Sequence, residues 1–241
     1  MHLRRTLFIS DLHLDAARPE ATARFRRFLE GALPGADALY ILGDLFEYWI
    51  GDDGLALEFP NSIASDLSRA SRLAPVFFMH GNRDFLVAGQ FAAATGVKLI
   101  EDPTRLDLYG RSTVLMHGDT LCTDDKAYQA FRAQVRNPMW QQAVLAKPIP
   151  ERVAMAQGLR EQSDAAKGGK SMEIMDVAPA AVQKAFEDCG CDVMIHGHTH
   201  RPGHHTCQVA GRTRQRWVLP DWYGAGGYLE ATPEGITARA V

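Results

Sequence analysis

Five apolar runs along the chain each end abruptly in a small polar cluster. "TLFIS" (residues 6–10) leads into Asp11-Leu12-His13, "DALYILGD" (37–44) closes on Gly43-Asp44, and "PVFFMHGN" (75–82) closes on Gly81-Asn82. Further on, "STVLMHGD" (112–119) ends in His117-Gly118-Asp119, and "DVMIHGHTH" (192–200) in His196-Gly197-His198-Thr199-His200. Short continuous apolar runs bounded by turn residues predict buried strands. Between them the pattern changes to helical spacing. Phe25, Phe28, Leu29 and Leu33 predict a helix over 19–33, and another is expected near 55–73. "DFLVAGQFAAATG" (84–96) reads as a helix closed by Gly96, and Val182, Ala185, Phe186 and Cys189 mark a core-facing one. The tail from about 207 carries strand-like pieces, "RWVL" and "GYLEAT". Alternating strands and helices predict a layered α/β fold, with ligands at the carboxyl ends of the strands.

Residues 124–175 break this rhythm. Asn137-Pro138 and Pro148-Ile149-Pro150 are helix-start signals. Tyr128, Phe131 and Val135 form one apolar stripe, and Met139, Trp140, Ala143 and Val144 another. "SDAAKGGKS" (163–171) is polar and small and reads as a mobile stretch. The region is expected to be a helical lid insertion within one domain spanning residues 1–241. No repeat, low-complexity segment or linker divides the chain.

Composition narrows the classes. The chain has 241 residues, 46% of them hydrophobic, and a net charge of −3. A nucleic-acid binder is usually strongly basic, so no nucleic-acid partner is expected. The apolar run after Arg4-Arg5 is cut by Asp11, too early for a secretory signal, and no stretch is long enough to cross a bilayer. Cys122, Cys189, Cys191 and Cys207 make no Cys-x-x-Cys pair and read as reduced, buried thiols. A monomer is favoured.

The strand-end clusters supply Asp11, His13, Asp44, Asn82, His117, His198 and His200. A mixed carboxylate, amide and imidazole set suits Mn²⁺, Fe²⁺ or Zn²⁺ rather than a thiolate structural site. Seven donors exceed one ion's needs, and a bridging carboxylate would place two ions about 3.5–4 Å apart. Two such ions activate water near neutral pH and hold phosphate oxygens. His2, His80, His204 and His205 read as ordinary surface or core histidines.

"DLH", "GDLF", "GNRD", "MHGD" and "HGHTH", in this order over most of residues 6–202, resemble the calcineurin-like metallophosphoesterase superfamily. The resemblance implies two packed mixed sheets flanked by helices. It implies one metal held by Asp11, His13 and His200, another by Asn82, His117 and His198, and Asp44 bridging them, with two Mn²⁺ per chain. "HGNRDFL", "GDLFEYWIGDD", "MHGDTLCTDD", "YQAFR" and "KSMEIMDV" are similar to one family within it. That family hydrolyses the pyrophosphate of UDP-2,3-diacylglucosamine to UMP and 2,3-diacylglucosamine 1-phosphate in lipid A biosynthesis. It works as a peripheral enzyme on the cytoplasmic face of the bacterial inner membrane. The likeness implies catalytic roles for Asp44, Asn82, Arg83, His117 and His198. It implies substrate contacts from Asn82, Arg83, Asp125, Ser163, Lys167, Lys170 and His198. At Lys167 the chain departs from the family's Asn, placing a point charge where an amide would stand. The tail "LPDWYGAGGY" matches only loosely and receives no role.

Arg83 stands where many superfamily members carry His. A guanidinium binds phosphate oxygens bidentately and stays charged, which suits a diphosphate whose leaving group needs little acid catalysis. Tyr128, Phe131, Met139, Trp140, Val144, Leu145, Val153 and Met155 could line an acyl groove or, with Trp140 foremost, rest on a bilayer. Arg132, Arg136, Lys147, Arg152 and Arg160 are expected to meet anionic headgroups or form a solvated face. The alternatives are a dinuclear metallophosphoesterase acting on soluble nucleotides or phosphoproteins, and a binding scaffold on the same fold. A scaffold is disfavoured because all seven donor positions carry competent ligands.

Overall fold

The computed structural model describes residues 4–168 and 174–241, apart from the side chains of 164–168. In chain order, the first half runs β1 (Thr6–Ile9), α1 (Pro19–Gly31), β2 (Ala38–Leu42), α2 (Glu58–Ala70), β3 (Val76–Met79), α3 (Gly89–Thr95), β4 (Lys98–Ile100), β5 (Thr104–Leu108) and β6 (Arg111–Leu115). Four helices follow, α4 (Lys126–Val135), α5 (Pro138–Leu145), α6 (Ile149–Gly168) and α7 (Pro179–Cys189). The chain closes with β7 (Val193–His196), β8 (Gly203–Val209), β9 (Arg212–Val218), β10 (Gly227–Thr232) and β11 (Gly235–Ala240).

The strands form two mixed sheets, ordered β11-β10-β1-β2-β3-β4 and β5-β6-β7-β9-β8. β1 to β4 are parallel within the first, and β6, β7 and β9 within the second. Side chains alternate between the two faces of a strand, and the core follows that period of two. Phe8, Leu42, Met79, Leu115, Ile195 and Leu229 meet between the sheets. Leu7, Ile9, Leu39 and Ile41 face the other way and pack with Phe25, Phe28, Ile63, Leu67 and Phe91 of the helices. Val182 and Phe186 of α7 cover the outer face of the second sheet. The parallel strands of both sheets deliver their carboxyl ends to one edge, where all five polar clusters lie.

Several elements differ from the sequence expectation. The helix expected over 84–96 starts only at Gly89, because Asp84 accepts backbone N–H bonds from Gly81 and Leu45 and holds the segment in a turn. Gly96 does end it, in the left-handed conformation at φ 75°. β4, β5, β8 and β11 carry few buried side chains and gave no apolar run to read. The expected mobile stretch from Ser163 is helical as far as Gly168.

The insertion comprises α4, α5 and α6, and both proline start signals hold: Asn137 caps α5 through Met139 N–H (2.9 Å), and Pro150 sits in the first turn of α6. Trp140 and Met155 pack against the main core and Val144 is buried within it. One basic residue ties the lid down. Arg152 is buried, donates to the carbonyls of Ile50 and Lys147, and bonds both oxygens of Asp53. No helix among the described residues is long and apolar enough to cross a membrane.

A buried acceptor left without its donor costs about 1–3 kcal/mol. Arg152→Met is therefore expected to lower stability by about 2 kcal/mol in urea unfolding and to raise hydrogen exchange in α5 and α6 more than in the sheets. Unchanged exchange in those helices would show that Arg152 does not anchor the lid.

Candidate active site

The five loops after β1, β2, β3, β6 and β7 converge through their own backbone pairing. Asp11 and His13 donate N–H to Gly43 O (3.2 Å) and Asp44 O (2.9 Å), continuing the β1–β2 alignment past the strands. Asp84 fixes the next loop by accepting the N–H of Leu45 (2.7 Å) and Gly81 (2.8 Å). The packing leaves no room for a Cβ at Gly43 or Gly81. One built on Gly81 would lie 2.1 Å from Asp44 Oδ1, and one on Gly43, at φ 89°, 2.5 Å from Gly81 Cα. Five of the seven predicted ligands have left-handed backbone: Asp11 (φ 57°), His13 (50°), Asp44 (53°), His198 (69°) and His200 (54°). Such a conformation is uncommon for residues other than glycine and clusters at functional sites.

The seven side chains form two groups. In one, His13 Nε2 and His200 Nε2 are 3.2 Å apart, and Asp11 Oδ1 is 3.5 Å from His200 Nε2. In the other, Asn82 Oδ1 lies 3.0 Å from His117 Nε2 and 2.9 Å from His198 Nδ1. Asp44 stands between them, Oδ2 3.8 Å from His13 Nε2 and Oδ1 3.8 Å from His117 Nε2. Asp11, His13 and His200, and likewise Asp11, Asp44 and His117, bring ligand atoms within 4.8 Å of one another.

The donor chemistry fits divalent cations. His117 Nδ1 lies 2.8 Å from the Leu42 carbonyl, which can only accept, so Nδ1 carries a proton and Nε2 is the ring nitrogen turned to the Asn82 oxygen. Asp11 Oδ1 is buried and accepts no hydrogen bond among the described residues. Lone pairs converging at hydrogen-bond distance need a positive charge among them. Titration is displaced accordingly. Burial pushes the Asp44 carboxyl up to about 7 against the pull of His117. Burial opposes charge on His117, yet Asp44, Asp119 and Asp11 raise it to about 9. Burial and neighbouring His117 take His198 down to about 3.

A cavity of about 580 Å³ opens from this centre. His13, Asp44, Asn82, Arg83, His198 and His200 form its polar end. Asp125 and Ser163 also line it, as expected from the resemblance, and Asp125 additionally caps α4 through Tyr128 N–H (3.0 Å). Lys170 and the side chain of Lys167 lie outside the described residues. Phe85, Phe131, Trp140, Val144, Met155 and Leu159 line the far end.

Of the two placements the sequence left open for Trp140, groove wall or bilayer contact, the structure shows the first: Trp140 does not project outward but lines the cavity with its ring centroid 6.2 Å from that of Phe85, while Met139 is 79% exposed and Leu145 is also exposed. Nor do the basic residues form a solvated face. Arg132 donates to buried Asp119 (2.7 Å), Arg136 to Gly81 O (2.8 Å), and Arg152 to Asp53. Arg160 Nε lies 3.1 Å from Glu47 Oε1, leaving Lys147, paired with Glu151 at 3.4 Å, as the surface charge of the five. His80 has a partner as well, the Val87 carbonyl at 2.7 Å.

Glu47 escaped the sequence reading. Its buried carboxylate gathers Arg160 and Arg83 (3.8 Å) at the cavity wall and lies 3.6 Å from His13 Nδ1. Burial raises its pKa against the pull of Arg83, Arg160 and Arg18. Its place directly after the Gly43-Asp44-Leu45-Phe46 strand end was the available signal.

The sequence profile of the calcineurin-like phosphoesterase family matches residues 4–202. A protein of Xanthomonas axonopodis pv. citri, called UDP-2,3-diacylglucosamine hydrolase, is 52% identical over 239 residues, covering 96% of this chain and 97% of that one. Proteins of the same name from Xanthomonas campestris pv. campestris and Cellvibrio japonicus are 51% and 48% identical. Those alignments cover 96% of both chains for the first, and 97% of this chain and 98% of the relative for the second.

The crowding at Gly81 gives a direct test. Gly81→Ala would push on the Asp44 carboxylate, and metal content by mass spectrometry is expected to fall from two divalent ions per chain to one or fewer. His13→Ala is expected to remove one ion and keep the other. Two ions retained in both variants would contradict the assignment.

Proposed function

The chain belongs to the calcineurin-like phosphoesterase family, and from that premise we propose that it hydrolyses the pyrophosphate bond of UDP-2,3-diacylglucosamine, giving UMP and 2,3-diacylglucosamine 1-phosphate. The observation that carries this reading is a single cavity with two chemistries. Its polar end holds five of the seven donors, His13, Asp44, Asn82, His198 and His200, with Arg83, and its other end is walled by Phe85, Phe131, Trp140, Val144, Met155 and Leu159. A soluble nucleotide ester has nothing to fill the apolar end, whereas acyl chains do.

Asp11, His13 and His200 would hold one Mn²⁺ and Asn82, His117 and His198 the other, with Asp44 shared. Bound divalent ions supply charge neutralisation for phosphate oxygens and activation of water near neutral pH. The chain's own groups then position the diphosphate. Arg83 and Arg160 bring permanently charged guanidiniums to the polar end, and Glu47 sets their spacing through its carboxylate. Asn82 Oδ1 points at the His117 and His198 ring nitrogens with which it would share the cation, so its amide NH₂ remains for a substrate oxygen. Asp125 and Ser163 would contact the sugar from the lid, as would Lys167 and Lys170. The insertion turns Met139 and Leu145 to the surface, a disposition suited to a peripheral position on the cytoplasmic face of the inner membrane.

The reading is tested by release of UMP from UDP-2,3-diacylglucosamine in anionic vesicles. Turnover is expected with Mn²⁺, none with EDTA, and a rate lower by at least about 100-fold on the analogue without acyl chains, the loss expected when remote binding energy is withdrawn. Met139→Asp is expected to weaken turnover on vesicles and leave detergent-dispersed substrate unaffected. Equal turnover of acylated and non-acylated substrates would instead favour a soluble-nucleotide phosphoesterase. Equal vesicle activity in Met139→Asp would remove the membrane contact alone.

A further inference from the structure

The segment 219–223, to which the sequence motifs attach no role, is bonded directly to the ligand loops. Leu219 N–H donates to His196 O (2.7 Å) and Trp222 N–H to Asp11 O (3.1 Å). Arg18 donates to the carbonyls of both His13 and Trp222 at 3.2 Å, and Arg24 adds a bond to Trp222 O (3.1 Å). Trp222 itself is fully buried among Phe25 and Phe28. These contacts fix the next side chain. The Tyr223 ring stacks on His13 with centroids 5.1 Å apart and planes at 24°, and lies 5.5 Å from His200. Arg18 Cζ is 4.4 Å from the same ring centroid.

The two donor groups therefore have different aromatic covers. Beside Asn82, His117 and His198 stands Tyr128 of the lid, 5.5 Å from His198, half-buried and donating its hydroxyl to Asp119 (2.8 Å). Beside Asp11, His13 and His200 stands Tyr223, which is 50% exposed. An imidazole with nothing against its face can turn about its own bond, and a cation must then order it on binding. A ring stacked on it, itself held by a guanidinium, removes that freedom beforehand.

We propose that Tyr223 is a positioning residue for His13 and His200 and sets divalent-cation affinity in that half of the centre alone. The proposal rests on the two-ion reading above. Outer-shell partners of metal-binding histidines typically change affinity by about 10–100-fold, so a discernible effect is expected from losing the ring.

The test equilibrates Mn²⁺-loaded protein against a series of buffered free Mn²⁺ concentrations. Bound ions are counted, and electron paramagnetic resonance separates the coupled pair from an isolated ion. Tyr223→Phe keeps the ring and is expected to match the unmodified protein. In Tyr223→Ala one ion should bind as before and the other at least about tenfold more weakly, so that an isolated-ion signal appears over that range. Tyr223→Leu, which keeps apolar bulk without a stacking ring, should behave like the alanine variant and guards against local collapse. Unchanged binding of both ions in Tyr223→Ala and Tyr223→Leu overturns the proposal, as does equal weakening of both ions or a loss in Tyr223→Phe as large as in Tyr223→Ala. Fewer than two ions in the unmodified protein would overturn the two-ion reading instead.

Discussion

Everything at the strand ends is arranged around the carboxylate of Asp44. One oxygen faces His13 and the other His117, at 3.8 Å each, so a single side chain joins two donor groups, each of which draws on both sheets. Holding it there requires backbone that resists its own preferences. Asp44 is left-handed, its N–H is 3.3 Å from Asp84 Oδ1, and Gly81 is bare because a methyl there would fall on Oδ1. Left-handed conformations cost of order 1–3 kcal/mol each. Five of them, even at about 1 kcal/mol, approach the whole net stability of a domain, about 5–15 kcal/mol. The loops tolerate this because both sheets pack on a continuous core beneath them, and bound cations would return further stabilisation through the same donors.

The constraint also explains the division of labour in the cavity. The donor cluster is crowded with acids and imidazoles, while the fixed positive charges stand one step away. Glu47 holds Arg83 and Arg160 at the wall, and Asp119 draws Arg132 inward from α4. The lid is thus tied to the body by charge pairs with one buried partner each, and its apolar side chains are left to line the cavity. Removing the exposed partner of such a pair leaves a buried charge uncompensated, which favours one seating of the lid over many.

Much of this was legible from the residues. The five apolar runs and their polar ends located the core strands and all seven donors, because a buried parallel strand writes itself as a continuous apolar run and a ligand loop as its abrupt end. The proline signals at Asn137-Pro138 and Pro148 placed the lid helices. What was not legible had few buried side chains or depended on distant partners. Edge strands such as Gly203–Val209 expose most of their residues and leave no pattern. Arg132, Arg136, Arg152 and Arg160 read as surface charge because composition cannot reveal a partner 13 to 113 residues away, such as Asp119 for Arg132 or Glu47 for Arg160. Tyr223 was hidden for the same reason: its contacts are with His13 and Arg18 near the start of the chain and with His200, and its own neighbourhood is a Gly-rich tail. The left-handed ligands lie beyond sequence reading altogether, since Asp and His adopt that conformation only when the surrounding structure imposes it.

The most direct measurement is anomalous diffraction from crystals grown with Mn²⁺. The account predicts two peaks about 3.5–4 Å apart, one beside Asp11, His13 and His200, the other beside Asn82, His117 and His198, with Asp44 touching both. A single peak, or two that do not share Asp44, would contradict it.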